Sequence, residues 1–266
     1  MEIKLFKALW GMEGSLESQF ERIAAAGYVG IEAPMPTLAE EEQFRKLLEK
    51  HQLDYIAMVF TQGPDHVTSF AEQVARAVTF QPISITSHSA KDSMPFEEQV
   101  EFFRKAADIE KEYGIAIGHE THRGRALYNP WETGRLLDAV PEINLTADYS
   151  HWCCVTETTL ENQEENLRKS FSRVQHIHGR VGYAQGPQVP DPRAPEYVHE
   201  LQRHMSWWDS IVQAKQDAGL TTVTFTPEFG PPGYLHTLPF TNQPVADLWD
   251  VCLWMGKHFK GHYKSI

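Results

Sequence analysis

Four residues along the chain could share one piece of chemistry: Glu120, Asp148, His178 and Glu228. Each follows a short apolar run, at 115–119, 143–147, 174–177 and 222–227. Charged and imidazole side chains are costly to bury unless they are paired or used. A strand that passes from apolar to ionisable in this way ends at a functional surface. Three carboxylates and one imidazole form a four-ligand set for one divalent metal ion. Oxygen donors with one nitrogen suit Mn²⁺, Mg²⁺, Co²⁺ or Zn²⁺, and nothing in the sequence separates these. Taken singly, each residue has a plainer reading: a strand-end carboxylate as a helix cap or loop salt bridge, a lone histidine as part of the core. The recurrence of the pattern favours the metal site.

The elements that must position these residues alternate regularly. Strands are predicted at 3–10, 28–33, 54–60, 83–87, 115–120, 143–147, 174–178 and 222–227. Helices are predicted at 16–26, 38–51, 66–79, 95–113, 130–139, 162–173, 196–218 and 243–260. Strands alternating with helices imply a parallel sheet. Eight such units in about 250 residues fit a single closed (β/α)₈ TIM barrel, spanning residues 1–266 as one domain. A doubly wound open sheet is the alternative. Its phosphate-binding GxGxxG turn is missing from Trp10-Gly11-Met12-Glu13-Gly14. In a barrel, the site forms at the C-terminal ends of the strands, where all four candidate ligands fall.

The order Glu120, Asp148-Tyr149-Ser150-His151, His176-Ile177-His178, Glu228 resembles the xylose isomerase-like TIM-barrel superfamily. That group contains sugar isomerases and epimerases, hydroxypyruvate isomerase, dehydroshikimate dehydratases and endonuclease IV (AP endonuclease family 2). The resemblance implies Glu120, Asp148, His178 and Glu228 as metal ligands. It also implies Glu120 and Glu228 as the catalytic pair that exchanges protons with substrate carbon, and His151 as a substrate contact. Endonuclease IV needs an Asp-x-His pair after the seventh strand to complete a trinuclear zinc site. The corresponding stretch here is Asp191-Pro192-Arg193. Arginine stays protonated and cannot ligate zinc, so a DNA-repair activity is not expected.

Proton transfer next to a carbonyl explains why such residues are needed. A weakly acidic C–H must lose its proton to leave an enediolate. A divalent ion stabilises that charge as a Lewis acid, and a carboxylate within reach takes the proton. Further candidates ring the site. His88 ends the fourth strand, and His122 shares a strand face with Glu120. Arg123, Arg125, Arg180 and Arg193 sit in the loops, where guanidinium forks could hold an anionic substrate. Pairing with surface acids is the plainer reading of any one of them. His176 points to the same side as His178, as a buttress or core residue, and His119 points the other way. Trp10, Phe60, Trp152, Trp207 and Trp208 are candidate pocket walls, or core.

Composition narrows the function classes. The net charge is −12, which opposes electrostatically driven nucleic-acid binding. Apolar residues make up 41%, enough for a large core, and no run approaches a membrane span. Three cysteines without a CxxC pair fit a reducing compartment. The first residues carry no basic region followed by a long apolar run. The expectation is a soluble cytoplasmic enzyme of carbohydrate metabolism, a metal-dependent isomerase or epimerase. Its partner would be a sugar or hydroxy-keto acid, with a homo-oligomer left open. A lyase of the dehydroshikimate dehydratase kind, or a non-catalytic sugar-binding barrel, are the alternatives.

Overall fold

The computed structural model describes residues 1–263. Eight parallel strands close into one barrel in the order β1 to β8. They are β1 (Glu2–Ala8), β2 (Gly30–Pro34), β3 (Asp54–Phe60), β4 (Ser84–His88), β5 (Ile117–Glu120), β6 (Asn144–Ala147), β7 (Val174–His178) and β8 (Thr222–Thr226). Pairing of β1 with β8 completes the ring, with Ile3 opposite Val223 and Leu5 opposite Phe225. The expected (β/α)₈ barrel is the observed fold.

Helices connect successive strands: α1 (Leu16–Ala25), α2 (Glu41–His51), α3 (His66–Ala77), α4 (Phe96–Tyr113), α5 (Pro130–Ala139), α6 (Tyr149–Thr156), α7 (Glu164–Phe171), α8 (Val198–Asp217) and α9 (Leu248–His262). Their starts follow local chemistry. Ser15, Asp65, Asn129 and Asp247 each accept a backbone N–H in the first turn of α1, α3, α5 and α9. Phe20, Phe44, Phe70 and Phe102 point from α1 to α4 into the layer between helices and barrel, and all are buried. Two predicted helices begin three or more residues later than expected. The one predicted from 38 starts at Glu41, because Glu40 turns back to accept the Thr37 hydroxyl at 2.6 Å. The one predicted from 243 starts at Leu248, and residues 229–247 instead form a proline-rich loop. The short helix α6 lies outside the predicted elements.

The barrel interior carries a polar layer below its mouth. Glu32, Thr86, Thr146, His176 and Thr226 are all buried. The Thr86 hydroxyl donates to Glu32 at 2.6 Å, and His176 contacts Thr224 and Thr226 at 2.8 and 3.0 Å. Gly118 on β5 leaves room for this layer, since a Cβ there would lie 2.4 Å from the Thr146 hydroxyl. No helix among the described residues is long and apolar enough to cross a membrane.

Candidate metal centre at the barrel mouth

The strand ends bring the four candidate ligands together. Glu120 and His178 are the last residues of β5 and β7, Asp148 follows β6, and Glu228 lies just past β8. One ligand atom from each lies within 4.8 Å of the others, and all four residues are buried. Nδ1 of His178 stands 3.1 Å from Glu228 Oε2 and 3.5 Å from Glu120 Oε1. His88 Nε2 approaches Glu120 Oε2 to 2.5 Å. Close as these approaches are, the angles are poor. Both oxygens of Glu120 and Nδ1 of His178 lack a hydrogen-bond partner among the described residues. Buried polar atoms left this way are rare. Three carboxylates around one imidazole nitrogen are a donor set that a divalent cation fits.

Burial acts against the charges in this cluster, and neighbours decide each outcome. Burial disfavours the Glu120 carboxylate, but His88 and His178 outweigh it and hold its pKa well below the usual range. For His178, burial is outweighed by Glu228, Glu32 and Glu120, which raise its pKa well above normal. Asp148 is pushed up to about 6 by burial, with Arg180 pulling down and Glu120 and Glu228 adding to the rise. Crowded carboxylates of this kind are relieved by a positive ion.

Asp148 has a second task. Its Oδ1 accepts the Ser150 N–H at 3.1 Å and so caps α6. Its Oδ2 pairs with the guanidinium of Arg180. The cap reading therefore holds for one oxygen of this carboxylate, and the other lies in the guanidinium pair.

A residue the sequence reading passed over holds the centre from below. Glu32, on β2, is buried inside the barrel. Its Oε1 accepts from His178 Nε2 at 2.9 Å, and its Oε2 from His176 Nε2 at 3.1 Å. Burial raises its pKa, but His178 and His176 more than offset this and keep it well below the ordinary value. With Nε2 bound to Glu32, Nδ1 of His178 faces the carboxylates. A carboxylate behind a metal-ligating histidine fixes its tautomer and ring orientation. The only sequence signal was a glutamate in the apolar run Ile31-Glu32-Ala33.

The other candidates divide. His88, His122 and Arg180 line the same cavity as Glu120 and Glu228, with a volume of about 510 Å³. The rings of His88 and His122 stand 4.4 Å apart, and those of His122 and His151 4.0 Å apart. Burial holds His122 down to about 3, and burial with His122 and Arg180 holds His151 well below normal. His151 sits behind this wall and accepts from Arg180 Nη2 at 2.8 Å. Arg180 also approaches Glu228 Oε2 to 3.4 Å, while its Nη1 has no partner among the described residues. Arg123 is exposed, with its guanidinium 5.1 Å from the centre of the Tyr234 ring. Arg125 donates to the Thr61 carbonyl at 2.8 Å, which ties loops together. Arg193 is not brought to the cavity; it pairs with Asp191 and Asp250, both at 2.7 Å. His119 faces the helices, bonded to Ser89 at 2.6 Å and packed on Phe103. Trp10 and Phe60 line the cavity, whereas Trp152, Trp207 and Trp208 are buried in the core.

Comparison with known proteins agrees with this architecture. No curated protein sequence matches the chain. A structure of 3-keto-D-glucoside 4-epimerase from E. coli superposes with TM-score 0.63 at 10% identity, covering 98% of this chain and 100% of the other. A xylose isomerase-like TIM barrel protein from Mycobacterium smegmatis, in complex with magnesium, gives 0.63 at 12% identity over 99% and 97% of the chains. A probable 3-DHS dehydratase from Bacillus anthracis gives 0.58 at 14% identity over 96% and 97%. At these identities the likeness concerns the fold. The family model described as "Xylose isomerase-like TIM barrel" matches residues 20–232, most of the sequence. The chain belongs to the xylose isomerase-like TIM-barrel family.

Proposed function

We propose that this protein is a divalent-metal-dependent isomerase or epimerase acting on a sugar or a small hydroxy-keto acid. One observation carries the reading: Glu120 and Glu228 flank a single imidazole nitrogen of His178 and both line the mouth cavity. Glu120, Asp148, His178 and Glu228 would hold the ion, which would act as a Lewis acid toward substrate oxygen. One glutamate removes a proton from the carbon beside the carbonyl. The C–H electron pair moves toward the carbonyl, giving an enediolate. Return of a proton to the former carbonyl carbon, with the hydroxyl proton passing from one oxygen to the other, completes an isomerisation; return to the opposite face of the original carbon completes an epimerisation. His122, kept neutral by burial, lines the cavity and can donate or accept a hydrogen bond without adding charge, while His151 backs its ring from behind. Arg180 offers its unpartnered Nη1 to a substrate oxygen. The epimerase among the structural neighbours supports the same class.

The test is exchange of solvent deuterium into recovered substrate carbon, over a panel of ketoses, phosphorylated sugars and keto acids. Glu228→Gln should lower that exchange by about 10²–10⁴-fold, the usual contribution of a positioned acid or base. Exchange that persists unchanged in both Glu228→Gln and Glu120→Gln would remove the glutamates from the chemistry. Arg180 on the cavity wall, with the dehydratase among the neighbours, favours a second reading: a lyase acting on a carboxylate-bearing ring. Such an enzyme would form a conjugated product with new ultraviolet absorbance.

A further inference from the structure

The mouth cavity has two unlike halves. The ends of β4, β5, β7 and β8, with the loops that follow them, contribute His88, Glu120, His122, Arg180, Glu228 and Tyr234. The ends of β1, β2 and β3 contribute Leu9, Trp10, Ala33, Pro34, Met58 and Phe60. Among these six side chains the indole N–H of Trp10 is the single strong hydrogen-bonding group. The main chain does little to make up for it. The Ala33 carbonyl already accepts the Tyr55 hydroxyl at 2.9 Å. Phe60 uses its N–H and its carbonyl on the Gln73 side chain, at 2.9 and 2.8 Å. The Leu9 N–H is spent on the Glu32 carbonyl and its carbonyl on the Met12 N–H, both at 3.0 Å. Pro34 has no N–H to offer.

This wall is held in place. Trp10 lies flat over Gly230, where a Cβ would stand 2.2 Å from the ring, and meets Tyr234 edge-on at 5.0 Å. Phe60 packs against His88 with ring centres 4.5 Å apart.

A polyhydroxylated chain laid along this surface would lose water from several hydroxyls and find only the Trp10 indole N–H and, at its border, the Tyr234 hydroxyl in exchange, an unfavourable outcome for the polar groups left over. An apolar group would gain from the same burial. We propose that the substrate is amphipathic: an oxygenated, enolisable head at the glutamates and an apolar substituent, of phenyl or branched-alkyl size, on the β1–β3 wall. The placing of the head rests on the proton-transfer reading above; the placing of the apolar part rests on the wall alone.

The test compares two ligands with a common hydroxymethyl-ketone head on the Mn²⁺-loaded protein. One carries a phenyl tail, 1-hydroxy-3-phenylpropan-2-one. The other is a ketopentose, whose tail is a short polyol. Calorimetry gives affinity and solvent deuterium incorporation gives chemistry. The phenyl compound should bind about 10- to 100-fold more tightly, the range expected for burying a ring of this size. Met58→Gln should shrink that difference by weakening the phenyl compound. Equal or tighter binding of the ketopentose would overturn the proposal, and so would failure of both to bind. Tight binding of the phenyl compound without exchange would uphold the amphipathic pocket and count against the proton-transfer reading. Faster exchange with a better-bound ketopentose would do the reverse.

Discussion

Glu32→Gln is the substitution that best isolates how the centre is held. Glu32 touches neither the cavity nor the proposed ion, yet it accepts from His178, His176 and the Thr86 hydroxyl. Glutamine preserves the shape, but it replaces one acceptor oxygen with an NH₂ group. That group would face an imidazole N–H or the threonine hydroxyl. Hydrogen bonds to a charged partner contribute about 1.5–3 kcal/mol each. Losing one or two of them in a fully buried site should destabilise the metal-free protein by about 2–4 kcal/mol. The second effect is on the ligand itself. Without its carboxylate anchor, His178 can rotate or switch tautomer, and metal affinity should fall by about 10–100-fold. Urea unfolding in EDTA measures the first quantity, and calorimetric titration with Mn²⁺ measures the second. A variant that is less stable but binds Mn²⁺ within about twofold of the parent would refute the reasoning. Glu32 would then be part of the barrel core alone.

Two further outcomes follow from other buried titratable groups. Arg180→Met removes the cation paired with Asp148, and breaking a buried pair from one side typically costs about 3–5 kcal/mol. That loss should appear in urea unfolding of the metal-free protein and shrink when Mn²⁺ is present, because the ion then shares the load. His204 is buried, donates Nδ1–H to the Glu200 carbonyl at 2.8 Å and accepts the Gly182 N–H on Nε2 at 3.2 Å. Its pKa, ordinarily 6.5, is lowered to about 4, chiefly by burial. The unfolded chain therefore binds the extra proton first. The stability contributed by neutral His204 is complete above pH 6.5 and is lost as pH falls toward 4. His204→Gln should flatten the pH dependence of unfolding in that window by about 1.4 kcal/mol per pH unit.

Much of this centre was legible from residue order, because a parallel strand buried on both faces reads as an apolar run with a clear end. The limits of β3, β7 and α5 coincide with their predicted limits, and Glu120, Asp148, His178 and Glu228 converge as their positions implied. Other features depend on closure of the barrel. Glu32 and His178 are 146 residues apart in sequence, and no local pattern joins them. The helix α6, Tyr149–Thr156, is rich in aromatic, cysteine and β-branched residues and lacks a polar face, so helical periodicity gave no sign of it. Arginines in loops are the hardest to place. Arg180 turns inward to Asp148, while Arg193 turns outward to Asp191 and Asp250. Met58 and Ala33 look like ordinary strand core, and only their position beside the mouth makes them a cavity wall.

The central claim is that four strand ends build one divalent-metal site. Titration of the EDTA-stripped protein with Mn²⁺, followed by calorimetry, tests it most directly. The account predicts one ion per chain in the parent protein and loss of that binding in Glu120→Ala and in Asp148→Ala. Absence of binding in the parent, or undiminished binding in both variants, would contradict it.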